Sequence, residues 1–254
     1  MEPAPRPAPA NAPCPNCGAS SSGRFCSSCG QDNGEGRLAV RGVLLDAFHN
    51  FVNWDSALLA TLRGLALRPG HVAREYVEGR RKRYVGPAKL CLYTLALWLL
   101  AARWLEVDVL AASGLRVETS GEGGRANELA RELREFFGGH LDLLLYLALP
   151  LRAWLVTLAF RGRGRNLAEC FVLVFYAASA SFLLGLVLTP LMAFDSERWM
   201  RARQALSFVW AVWAARQFFG VSWGSAFART TLVTVLHVLG TGLFFALLAL
   251  PFFW

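Results

Sequence analysis

Four cysteines near the N-terminus stand in two pairs, Cys14-Pro-Asn-Cys17-Gly and Cys26-Ser-Ser-Cys29-Gly, with eight residues between the pairs. A Cys-x-x-Cys turn brings both sulfurs to one metal, and two such turns supply the four ligands that zinc takes in tetrahedral geometry. Gly18 and Gly30 follow the second cysteine of each pair, where the chain turns back toward the sulfur and a Cβ would clash. Four thiolates close the coordination sphere to water and substrate, so one structural zinc ion is expected rather than a catalytic one. A unit this short has no core of its own, and its fold depends on the metal. Thiolates bind metal only while reduced, which puts this head in the cytosol. There it reads either as a stable cap or as a knob for a cytosolic protein partner.

A second group is basic. Arg80-Arg81-Lys82-Arg83, with Lys89 just beyond, precedes the first long apolar run and reads as a contact to lipid headgroups that also fixes topology. Nucleic acid is not the expected partner, because the ribbon itself offers one cation, Arg24, and one aromatic, Phe25. Inside apolar runs stand Arg152, two residues after Pro150, and His237, ahead of Gly240-Thr241-Gly242. Ionisable groups in such runs are candidates for a solute or ion path. The simpler expectation is that Arg152 satisfies a carbonyl freed by Pro150, and that His237 is neutral and hydrogen-bonded beside small packing residues. Glu169 and Asp142, at the edges of runs, are expected to face water, and Cys91 and Cys170 to act as small hydrophobes. No His-Glu-x-x-His, Gly-x-Ser-x-Gly, phosphate loop or dinucleotide fingerprint is present. An enzyme is therefore not expected. His71, Glu75 and Glu78 are the only groups placed for chemistry on lipids, and they read as a solvated helix face.

Composition says what must position these groups. Of the residues, 55% are apolar and 17% charged, with a formal charge of +8, against about 25% charged in a soluble domain. Five apolar runs, at about 88–105, 141–160, 170–194, 204–219 and 231–254, approach the ~20 residues that a bilayer core requires. The fourth is the shortest. Lys and Arg crowd the segment before the first run and the turn Arg161-Gly-Arg-Gly-Arg165, which places the N-terminus inside; the three Arg in the 195–203 loop are discordant. The expected fold is an all-α membrane protein of about five transmembrane helices. Residues 1–13 form a disordered leader, 14–31 the zinc ribbon, 32–87 a linker with cytosolic or interfacial amphipathic helices, and 88–254 the bundle. Within 38–67, Val40, Leu44, Phe48, Phe51 and Val52 recur near helical spacing.

The stretch CPNCGASSSGRFCSSCGQ at 14–31, followed by TLRGLALRPGHVAREYVEGRRKRYVGPAKLCLY at 61–93, resembles a bacterial membrane-protein family known only as a domain of unknown function. The matching positions are Arg68, Pro69, Gly70, Glu75, Tyr76, Gly79, Arg80, Tyr84 and Pro87. The resemblance implies a zinc ribbon ahead of several transmembrane helices in the bacterial inner membrane, and supplies no activity. Five spans behind a cytosolic N-terminal region are also similar to the Yip-type membrane proteins in topology alone.

Overall fold

The computed structural model describes residues 12–21, 23–33, 37–45, 55–107 and 141–249. Among these residues are two short strands, β1 (Ala12–Pro13) and β2 (Ser20–Ser21). Eight helices follow: α1 (Val40–Leu45), α2 (Asp55–Leu67), α3 (Pro69–Val77), α4 (Pro87–Trp104), α5 (Leu141–Ala159), α6 (Leu167–Met192), α7 (Ser196–Phe219) and α8 (Trp223–Ala249). Residues 1–11 of the expected leader, the positions Phe48, Phe51 and Val52, most of the 106–140 loop and the last residues of the fifth run lie outside the described residues, whereas Ala12 and Pro13, expected in the leader, form β1.

A helix occupies each of the five apolar runs. Two, α6 and the stretch Trp223–Phe244 of α8, are long and apolar enough to cross a membrane. Over the described residues α4, α5 and α7 do not reach that standard; α7 alone carries Glu197, Arg198, Arg201, Arg203 and Arg216. The polar stretch expected as a loop is in fact the first turns of α7. The Asp195 side chain accepts from the Arg198 N–H at 2.9 Å and caps the helix, a contact typically worth about 1 kcal/mol. Gly220, at φ 64°, ends the same helix in a left-handed turn.

The bundle is organised around α6. Its residues from Ala168 to Tyr176 are all buried, as expected of a helix that is apolar on every side. It packs against α4, α5 and α7 along its length, and α1, α2 and α3 also pack on it. Trp98 of α4 stacks on Phe182 of α6 at 5.6 Å, and Tyr76 of α3 meets Tyr176 edge-on at 5.9 Å. By contrast α8 rests on α5 and α7 and leaves Leu232, Val235, Leu236, Leu239 and Leu243 exposed.

Candidate metal centre and the basic face around it

Each cysteine pair folds the same way. The Cys14 N–H donates to the Ala19 carbonyl and the Gly18 N–H to the Cys14 carbonyl, both at 2.8 Å. Cys26 repeats this with Gln31 and Gly30 at the same distances. Gly18 and Gly30 sit at φ +78° and +70°, where an L side chain is strained. β1 pairs antiparallel with β2 around the first knuckle, and a bridge between Phe25 and Asp32 closes the second.

The four Sγ atoms all lie within 4.8 Å of one another. Cys14 faces Cys29 at 3.7 Å and Cys17 faces Cys26 at 3.6 Å. A tetrahedron with metal–sulfur bonds of about 2.3 Å has sulfur–sulfur edges of about 3.8 Å. The sulfurs therefore fit a single thiophilic metal ion. The backbone N–H groups of Cys29 and Ser28 hold the Cys26 thiol down to about 6 from its ordinary 9.0, which favours the ligating thiolate. Cys17 is pushed up to about 12: the Ala19 N–H works in the opposite direction, and Cys29, burial, Cys26 and Cys14 together outweigh it. Four sulfurs this close cannot all carry charge unless a cation stands between them.

The knuckles are seated on the bundle. Gln31, 3% exposed, accepts the Lys82 N–H on its Oε1 at 3.1 Å. A Cβ on Gly79 would stand 3.1 Å from Pro15, so the loop after α3 presses against the first knuckle. Arg37, in the linker, donates to Glu169 at 2.8 Å and to the Gly164 carbonyl at 2.6 Å. The Asn166 amide donates to the Leu38 carbonyl. Glu169 is thus 4% exposed rather than facing water. It closes a capping box with Asn166 at the start of α6 while holding Arg37.

The motif residues are mostly joints. The Arg68 carbonyl accepts from His71 and Val72 and its side chain is exposed, so the residue caps α3 through its backbone. Pro69 and Pro87 open α3 and α4. Gly70 meets α7 so closely that a Cβ would stand 2.2 Å from the Ala214 carbonyl oxygen, and its N–H donates to Gln217 Oε1 at 2.9 Å. Glu75 is a hub: it accepts from the Tyr84 hydroxyl at 2.5 Å and pairs with Arg80 at 3.1 Å and Arg83 at 3.6 Å. Burial, then the Glu75 carboxylate, pushes the Tyr84 hydroxyl up to about 12. Tyr76 is buried against Tyr176, whose hydroxyl donates to the Val85 carbonyl at 2.7 Å. Gly79 takes φ +105° at the turn that starts the basic loop.

Arg80, Lys82 and Arg83 are exposed and Arg81 partly so. Lys89 differs: it is 7% exposed in the first turn of α4, packed inside rather than offered to headgroups. The 160–166 connection joins the same face, where Arg165 reaches Glu78 at 3.5 Å. The ribbon, the basic loop and the Arg-rich turn therefore share one end of the bundle. Deeper in, Arg152 of α5 lines a cavity with Thr230 of α8. Arg152 is partly buried there. His237 Nδ1 is buried with no partner among the described residues. His237 lies within electrostatic reach of Arg152 but does not line the cavity.

Sequence reading did not single out Gln31, Arg37, Gln217 or Thr230. Glu169 carried a legible signal, since Asn166-x-x-Glu169 directly precedes an apolar run.

What the fold and site define together is a helical protein with a four-cysteine cluster able to hold a metal ion. Residues 55–99 match the family model described as a protein of unknown function (DUF3667), which agrees with the resemblance seen at the motif. The matched segment spans α2, α3 and most of α4 and does not include the ribbon. No curated protein and no solved structure matches the chain.

Proposed function

We propose that the chain is a non-enzymatic adaptor of a bacterial inner membrane. In this reading α4 to α8 cross the bilayer, and a structural zinc ribbon faces the cytosol. The observation that carries it is the seating of the cysteine cluster on the Gly79–Lys82 loop, where Gln31 holds the backbone of the basic cluster. A closed metal site has no catalytic position, and on that face the Glu75 hub is spent on internal bonds. The exposed apolar side of α8 supports a lipid environment, and one-sided Lys and Arg support an inward N-terminus. Phe25, 60% exposed at the ribbon's edge, is the natural contact for a cytosolic protein partner.

A photo-crosslinker at Phe25 in intact cells tests this. The adaptor reading expects a discrete protein adduct that disappears in a Cys26→Ser chain still inserted in the membrane. An adduct pattern unchanged by that substitution, or lipid adducts alone, would refute it. A second reading, a transporter or channel component using Arg152 and His237, draws on the cavity beside Arg152. It requires solute flux in proteoliposomes that is lost when both residues are neutralised.

A further inference from the structure

Four helices leave a cavity of about 30 Å³ between Arg152 and Val156 of α5, Val174 of α6, Ala211 and Ala215 of α7 and Thr230 of α8. We infer that this cavity binds one monovalent anion of halide size, held by the Arg152 guanidinium and the Thr230 hydroxyl. The small side chains of α7 make the room, and the two polar groups at the wall, a guanidinium and a hydroxyl, can both donate. Arg152 is partly buried at the wall. Thr230 is 6% exposed, and its Oγ1 is buried with no partner among the described residues.

A guanidinium set among apolar groups is costly, and negative charge close by lowers that cost. The neighbouring cations do not help. Arg229 is already committed, donating to the Ala159 carbonyl at 3.1 Å and lying over the Phe160 ring. His237, within electrostatic reach, adds a second cationic group or a neutral donor and no acceptor charge. One water needs about 10–15 Å³ of such space, so the cavity exceeds a single water yet is far too small for a phosphate ester. Phe160, which lines the cavity, stacks on Phe219 at 4.0 Å. The inference does not depend on what the ribbon binds.

The test uses the full chain in detergent, followed by tryptophan fluorescence on heating in chloride, bromide or gluconate at one ionic strength. Chloride and bromide are expected to raise the unfolding temperature saturably by about 3 °C over gluconate. Arg152→Gln should abolish the difference. Thr230→Val, which keeps the shape and removes the hydroxyl, should raise the half-saturating halide concentration about tenfold while preserving the fold. Crystals grown in bromide should give an anomalous peak between the two side chains. Equal unfolding temperatures in all three salts, or a halide effect that survives both substitutions, or no peak at Arg152, would overturn the inference and leave the cavity to water or lipid.

Discussion

A single methyl group placed on Gly70 should loosen the joint between α3 and α7. The added Cβ would stand 2.2 Å from the Ala214 carbonyl oxygen, 2.5 Å from Gln217 Cβ and 2.8 Å from the Phe218 nitrogen, where ordinary contact starts at 3.4 Å. Two of those three atoms are backbone within a helix and cannot swing aside, so α3 must retreat by roughly 1 Å and forfeit much of its dispersion contact. Overpacking of this kind costs about 1–3 kcal/mol. The bond from the Gly70 N–H to Gln217, 2.9 Å long, stretches with it, adding about 1 kcal/mol. Alanine's helix preference returns up to about 1 kcal/mol. Gly70→Ala is therefore expected to destabilise the chain by about 2 kcal/mol. The control is Gly224→Ala in α8, where nothing lies within 4 Å; it should be neutral or stabilising by up to about 1 kcal/mol. Reversible unfolding in mixed micelles measures both, and Trp210, which donates to the Leu65 carbonyl at 3.0 Å, reports locally as α2 leaves α7. If the two variants unfold at the same midpoint, the close approach at Gly70 does not bear on stability and the reasoning is wrong.

Three further outcomes are expected. Removing the metal by chelation should release one equivalent and abolish amide protection across 12–33 while leaving the helices intact, because metal binding supplies about 10–16 kcal/mol of folding free energy in such units; hydrogen exchange with metal analysis checks it, and protection that survives would refute it. Tyr84 holds its proton to about 12 in the fold against an ordinary 10.0, so the folded state binds that proton more tightly and stability should fall as pH rises between those values. Tyr84→Phe should show a shallower alkaline decline, and equal slopes would refute the burial account. Glu169→Ala removes both the capping box and the partner of Arg37; with Arg37 58% exposed the ion pair is largely screened, so about 1–2 kcal/mol is expected, seen as a lowered unfolding midpoint and as new protease access near Arg37.

The metal knuckles were legible because all four ligands and both turn glycines lie within one short segment, where spacing is geometry. The helices over the apolar runs were legible for a similar reason, since each is written in its own composition. What escaped was decided by partners distant in sequence. Glu169 reads as a water-facing edge residue until Arg37, 132 positions earlier, is laid against it. Lys89 looks like part of the basic cluster, yet the first turn of α4 takes it inward. Ser196 to Arg203 reads as a loop by polarity, although Asp195 starts a helix there and Met200 is 1% exposed. The RPG motif reads as a signature, whereas its glycine is a place where two backbones touch.

The joint between Gly70 and Gln217 unites positions 147 residues apart. A ribosome adding about 5–20 residues each second would need about 7–30 seconds to supply the second half of that joint after the first has emerged. During that wait α2 and α3 can rest on each other and, once it is made, on α6, but the face of α3 at Gly70 stays uncovered until α7 follows. Assembly at this joint is thus timed by the synthesis of α7 rather than of α3.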